Sequence, residues 1–310
     1  MQKWGKNRNG STRFRCKFCS VSKTRKRSDL SQKYQFELFQ KWLLGKLSKG
    51  EIADKYNVDR KTLTRWFASF WNLEPIPKQT NTANKILIID GKYVEQNACV
   101  LLAVCSKKIA SWHFTQRENY SSWRTFFDAF KQIPFAVVCD GQKGMIKAIK
   151  QRFPGVIIQR CQFHVIQYCT IRLTKNPESD VAQKLRFLVL EISQIKTKEQ
   201  LKNWLTDYKY WYTTNKDFIK EKTFQVEDLT PTGRPKWHYT HGRLHAAHSH
   251  LKNSLPYLFR YLQHPKIPNT TNFVEGAINA QMQEKLRFHR GLSLEKRRTL
   301  IAHFLSAKQH

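Results

Sequence analysis

Two stretches of this chain join an apolar run to a carboxylate and a glycine: Lys85-Ile86-Leu87-Ile88-Ile89-Asp90-Gly91-Lys92, and Phe135-Ala136-Val137-Val138-Cys139-Asp140-Gly141. Each reads as a buried strand with a charge at its tip. An ionised Asp in that setting costs several kcal/mol unless it is paired or holds a cation. Side by side in a parallel sheet, the two strands would present both carboxylates at one edge, and such an oxygen pair suits a hard divalent cation. A third acidic candidate, Glu275, lies in Pro268-Asn269-Thr270-Thr271-Asn272-Phe273-Val274-Glu275-Gly276-Ala277-Ile278-Asn279. Asn272 followed three residues later by Glu275 reads as a capping pair. A helix N-terminus facing the two Asp would instead put Glu275 where a third oxygen ligand is needed, with Asn279 on the same face.

The elements that must position these residues follow from the apolar pattern. Strands are expected over Lys85–Asp90, Ala98–Cys105, Ile109–Phe114, Phe135–Asp140 and Val156–Arg160, with helices over Ser121–Gln132 and Gln142–Phe153. Three strands followed by alternating helix and strand make an α/β mixed sheet flanked by helices, whose ligands bind at strand carboxyl ends. After Cys161-Gln162-Phe163-His164 the chain reads as wholly helical, with amphipathic helices over Val181–Ile195 and Glu199–Tyr212 and an interruption at Thr230–Pro235. Cys161 and His164 read either as a packed thiol and a satisfied imidazole or as groups close to the site.

The 310 residues carry 55 Lys and Arg against 23 Asp and Glu, a formal charge of +32. That self-repulsion favours a polyanionic partner. Basic residues interleave with aromatics throughout, which fits nucleic acid better than a membrane surface. The longest apolar run, Ala98–Cys105, is far short of the ~18 residues that span a bilayer, and no secretory h-region opens the chain. A soluble, cytoplasmic, nucleoid-associated protein is expected. Seven cysteines, five of them (Cys99, Cys105, Cys139, Cys161, Cys169) in apolar contexts, argue against a disulfide scaffold.

Residues 1–28 hold ten Lys or Arg and no acid, and glycines break their periodicity, so a basic arm without a packed layer is expected. Within it, Cys16-Lys17-Phe18-Cys19 has the spacing of one half of a zinc knuckle, the alternative being two free thiols on a DNA-contacting arm. Residues 29–72 read as three helices: Ser48 and Glu51 form a capping box, Asn57-Val58-Asp59 a turn, and Asp59 caps a helix exposing Arg60, Lys61, Thr64 and Arg65. This is the helix-turn-helix layout, with a basic three-helix bundle as the plainer alternative. Residues 73–84, with Pro75 and Pro77, are a linker. Two further basic surfaces are expected, one in the aromatic stretch Trp237–Leu262 around Arg243, the other around Lys285, Arg287 and Arg290.

Four motifs in order, Ile89-Asp90-Gly91, Cys139-Asp140-Gly141, Cys161-Gln162-Phe163-His164 and Asn272-Phe273-Val274-Glu275, resemble those of bacterial insertion-sequence transposases of the acidic-triad (DDE) kind. The nearest likeness is to the group related to the Mutator-like elements, and it covers nearly the whole chain. It implies a ribonuclease-H-like core over 85–164 and 266–310 with an all-helical insertion over 165–265. It also implies two Mg²⁺ (or Mn²⁺) held by Asp90, Asp140 and Glu275, with Asp90 bridging. Read from the residues themselves, Asn272, Asn279, Cys161 and His164 are expected either to be structural or to lie just behind these ligands. Partners would be duplex DNA, at terminal inverted repeats and at target sites, and further copies of the chain. Relatives often carry a complete zinc ribbon with an earlier Cys-x-x-Cys, and this chain begins after that pair, through a truncated start or a lost knuckle. A catalytically silent DNA-binding repressor and a nuclease without strand transfer are the rival expectations.

Overall fold

The computed structural model describes residues 1–8, 10–24, 28–229, 232 and 235–309. It comprises two compact units, Met1–Pro75 with Lys285–Phe304, and Ile76–Glu284 with Leu305–His310.

The first unit opens with β1 (Gln2–Lys6), β2 (Thr12–Arg15) and β3 (Ser22–Thr24), an antiparallel sheet in that order. The basic arm therefore carries short strands, β1 exposed along its whole length. The residues that interrupt periodicity make hairpin turns instead: Gly10, at φ +76°, donates its N–H to the Asn7 carbonyl. A second turn closes where the Cys16 N–H meets the Val21 carbonyl at 2.9 Å. Helices α1 (Ser28–Leu44), α2 (Lys49–Tyr56) and α3 (Arg60–Ala68) follow. Both halves of the Ser48–Glu51 capping box form, Asn57 adopts the left-handed conformation, and Asp59 accepts from the amides of Lys61 and Thr62. Leu38, Phe39, Leu43, Ile52, Leu63 and Phe67 pack with Leu300 as this unit's core.

The second unit contains β4 (Ile86–Glu95), β5 (Ala98–Cys105), β6 (Lys108–Thr115), α4 (Tyr120–Asp128), β7 (Ala136–Cys139), α5 (Lys143–Arg152) and β8 (Ile157–Arg160). The strands form one mixed sheet, β6-β5-β4-β7-β8, in which β5 runs antiparallel to both neighbours and β4, β7 and β8 are parallel. Leu87, Ile89 and Val137 face a core completed by Trp123, Phe126, Phe127 and Phe153. Ile86, Ile88, Ala136 and Val138 pack on the opposite face with Ile267. Both faces are covered, which is why the strands read as unbroken apolar runs.

Next come α6 (Gln162–Leu173), α7 (Asp180–Glu191), α8 (Lys198–Lys220), β9 (Lys222–Leu229), β10 (Pro235–Tyr239) and α9 (Gly242–Leu258). The insertion is thus not all-helical, because β9 and β10 pair as an antiparallel hairpin. Thr223 opposite His238 and Phe224 opposite Trp237 are cross-strand pairs of the kind that stabilise a sheet. Most of the interruption expected at Thr230–Pro235 falls outside the described residues. The helices pack around Val165, Leu185, Val189, Trp204 and Leu251. Two indole N–H groups of this unit are satisfied, Trp204 donating to the Leu188 carbonyl and Trp211 to that of Val181. The chain ends with a π-helical segment, Val274–Asn279, then α10 (Ala280–Phe288) and α11 (Leu294–Gln309).

Candidate active site and metal-binding residues

β4 and β7 pair in parallel register, Ile86 with Ala136 and Ile88 with Val138. Carried two residues on, that register sets Asp90 beside Asp140, on the face shared by Ile88 and Val138. Asp90 is not at a strand tip as expected, since β4 continues to Glu95 on its ladder with β5. It stands where the parallel pairing stops, and Asp140 lies one residue past β7.

Asp90 is buried, and its Oδ2 accepts a 2.7 Å hydrogen bond from Asn279 Nδ2. Burial pushes its pKa up to about 6, against the pull of the Asn279 bond, and the charges of Asp140 and Glu275 push the same way. Asp140 is oriented by its own loop, where the Gln142 N–H donates to Oδ1 at 3.0 Å. Behind it, Arg160 Nε and Nη2 donate to the Asp140 carbonyl at 3.2 and 3.0 Å. Gly141, at φ +85°, has no Cβ because the Arg160 guanidinium occupies that space.

Glu275 lies in the π-helical segment, where the Ala280 N–H reaches back five residues to the Glu275 carbonyl. π-Bulges of this kind are frequent at functional sites. The Asn272–Glu275 capping pair does not form. Asn272 is exposed, and the buried Thr271 takes the place expected for it: its hydroxyl lies 3.0 Å from Glu275 Oε1 and 3.3 Å from Cys161 Sγ, with one proton to share. His164 Nε2 is 3.7 Å from Glu275 Oε1. Burial raises the Cys161 thiol, but hydrogen bonds from His164 and Thr271 outweigh it and the pKa falls. The bond to Cys161 pushes His164 up to about 9 against its own burial. The two side chains therefore favour charge in each other at the N-terminus of α6, a position that itself lowers a thiol's pKa.

Two donor sets emerge. Asp90, Asp140 and Glu275 supply hard oxygens, and Asp90 feels the charges of the other two, although among the described residues these three do not close to within 4.8 Å of one another. Cys161 Sγ, a His164 ring nitrogen and a Glu275 oxygen lie within 4.8 Å of one another, a softer set better matched to Zn²⁺ than to Mg²⁺. Glu275 belongs to both. Cys16 and Cys19 share one turn, where backbone N–H groups of Cys19 and Phe18 lower the Cys16 pKa. Among the described residues, no third metal-ligating side chain joins that pair.

Of the expected DNA contacts, Arg60, Lys61, Thr64 and Arg65 are exposed on α3, and Arg287 and Arg290 are exposed as well. Arg243 is exposed too and also closes α6, donating to the carbonyls of Arg172 and Ile171. Lys285 donates to the Gly45 carbonyl.

Three features were missed in the sequence. A cleft of about 770 Å³ opens beside Asp140, walled by Lys143, Lys147 and Lys150 of α5 and by Tyr168, His250 and Tyr257. The i, i+4, i+7 spacing of those lysines was a readable signal. Arg160 also ends an apolar strand, the same signature as the two Asp. Glu118 had no such signal. It lies in the loop before α4, and burial with the charges of Asp140 and Asp90 pushes it up to about 7.

The mixed sheet, with Asp90 and Asp140 on adjacent parallel strands and Glu275 and Asn279 supplied by a later helical segment, defines an α/β protein with an acidic site. Residues 87–239 match the family model described as "Transposase, Mutator family". The transposase for insertion sequence element IS905 of Lactococcus lactis subsp. lactis (strain IL1403) is 22% identical over 142 residues, covering 41% of this chain and 36% of that protein. The chain thus matches little more than a third of that curated relative's length. By these two matches the chain is similar to bacterial insertion-sequence transposases of the Mutator type.

Proposed function

We propose that the chain is a DDE-type DNA transposase with a ribonuclease-H-like core, one that binds element ends and carries out metal-dependent phosphodiester hydrolysis and strand transfer. The observation that carries this reading is the parallel register of β4 and β7, which brings Asp90 beside Asp140 inside the segment that matches the Mutator family. The donor chemistry fits Mg²⁺ or Mn²⁺: carboxylates, with the Asn279 Oδ1 and Gln142 Oε1 oxygens nearby buried and unpaired. Asp90, Asp140 and Glu275 would hold the cations. When bound, a divalent pair supplies Lewis acidity at the phosphate and lowers the pKa of water or of a 3′-hydroxyl.

The chain's own groups do the positioning. Asn279 fixes Asp90, the Gln142 amide fixes Asp140, and Thr271 with His164 holds Glu275. Lys143, Lys147 and Lys150 line the cleft as phosphate contacts for the bound strand. α3 is the groove-reading helix of a helix-turn-helix for terminal inverted repeats, and the protein acts as an oligomer on DNA in the nucleoid. No helix of the described residues is long and apolar enough to cross a membrane.

The test is incubation of element-end DNA with Mg²⁺ or Mn²⁺, wild type beside Asp140→Asn. Joined product that disappears in the variant, by at least about a hundredfold, supports transposition. Nicks without joining reduce the reading to a nuclease. DNA bound but uncut by both proteins leaves a repressor.

A further inference from the structure

Gly91 sits in the interior of β4, between Asp90 and Lys92, and a strand-interior glycine weakens a sheet unless another group needs the space. Here that group is a carboxylate. A Cβ at Gly91 would lie 2.7 Å from Glu118 Cδ and Oε2 and 2.9 Å from Oε1, so the Glu118 carboxyl rests flat on the glycine. The Glu118 backbone is pinned from both sides of the acidic centre. Its N–H donates to Tyr93 Oη on the strand of Asp90 at 3.0 Å, and its carbonyl accepts from Gln142 Nε2 in the loop of Asp140 at 3.1 Å.

A half-buried carboxylate that feels the charges of Asp140 and Asp90 is costly unless something positive joins it. Glu118 Oε1 is buried without a hydrogen-bond partner; the Trp123 indole is near enough to draw its pKa down but makes no hydrogen bond. Two further buried oxygens at this centre also lack donors, Gln142 Oε1 and Asn279 Oδ1. Asn279 is 8% exposed, and its amide N–H is spent on Asp90. Unpaired acceptors around like charges point to a cation as the missing partner.

We propose that Glu118 is a fourth carboxylate ligand of the divalent cations held by Asp90 and Asp140, and that Gly91 is a glycine to admit it. This rests on the metal-dependent reading above.

The test is Mn²⁺ binding to the full chain, followed by the electron paramagnetic resonance signal of free Mn²⁺ at pH 8, with thermal melts in EDTA alongside. Glu118→Gln is expected to weaken Mn²⁺ binding about tenfold or more, with the EDTA melting temperature unchanged or raised because a buried charge is removed. Gly91→Ala, which crowds the carboxyl without removing a charge, is expected to weaken binding in the same direction, so the test survives if one variant does not fold. Affinity within twofold of wild type for Glu118→Gln, while Asp140→Asn loses binding, would overturn the assignment of Glu118 and leave the proposed function standing. Wild type and Asp140→Asn binding Mn²⁺ alike, or neither binding it, would overturn both.

Discussion

Gly141 and Asp90 illustrate how a single position can set the behaviour of the acidic centre. At Gly141 a left-handed φ of +85° and the Arg160 guanidinium both exclude a side chain. Gly141→Ala should therefore lower stability by on the order of 1–3 kcal/mol, read as a lower midpoint in urea, and should loosen the loop that orients Asp140. At Asp90 the effect depends on pH. Burial raises its pKa from 3.8 to about 6, so between those values the folded chain keeps a proton that the unfolded chain has released. Its contribution is fully present below about pH 4 and is lost as pH rises through about 6, a loss on the order of 3 kcal/mol. In EDTA, Asp90→Asn should stabilise the protein more at pH 7.5 than at pH 4.5, and millimolar Mg²⁺ should raise the wild-type melting temperature more than the variant's. An equal gain at both pH values would mean that Asp90 carries no such strain.

At the scale of elements, helix starts were legible because capping is local chemistry. Ser48 with Glu51, and Asp59 ahead of Arg60, formed as their spacing implied. Strands β5 and β6 were legible from apolar runs, but the end of β4 was not. Polarity rises after Asp90, whereas the ladder with β5 is made by backbone groups indifferent to side-chain polarity. The β9–β10 hairpin was hidden because β9 mixes polar and acidic residues with its few apolar ones and β10 opens on Pro235 and is otherwise aromatic and basic. The switch to π-helical bonding at Val274 was also hidden, because it moves each bond by one residue without altering the apolar pattern. Asp90 and Asp140 could be read from their own runs, while Glu118 acquires meaning only when a loop folds onto Gly91. The local rules that did hold can be tested on α3. Asp59 Oδ1 accepts two amide hydrogen bonds, from Lys61 and Thr62, so Asp59→Ala should cost about 1 kcal/mol. Arg60 and Arg65 are exposed, so changing both to Ala should leave the melting temperature unaltered while weakening the footprint on element-end DNA. An unchanged footprint would remove α3 from the groove.

For the molecule as a whole, charge is the dominant property. A formal +32 over 310 residues is far more than folding requires and opposes compaction. Among the described residues, Arg298 pairs with Glu74 and Arg152 approaches Asp128 at 3.8 Å, while Arg160 and Arg243 spend their guanidinium groups on carbonyl oxygens. Surface pairs of this kind contribute at most about 1 kcal/mol, so most of the cationic field is left for an external polyanion. If six to ten of these groups neutralise DNA phosphates, counterion release should lower the observed affinity by about 10³ to 10⁵ between 50 and 200 mM salt. Fluorescence anisotropy of a labelled duplex across that range measures the slope directly. Changing Lys143, Lys147 and Lys150 to Ala should make the slope shallower by about three, about one for each phosphate no longer neutralised, and should do so on any duplex sequence because lysine–phosphate pairing does not read bases. Changing Arg60 and Arg65 should instead weaken element-end DNA more than random DNA. A flat salt response in the wild type would mean that the excess charge serves something other than a phosphate backbone.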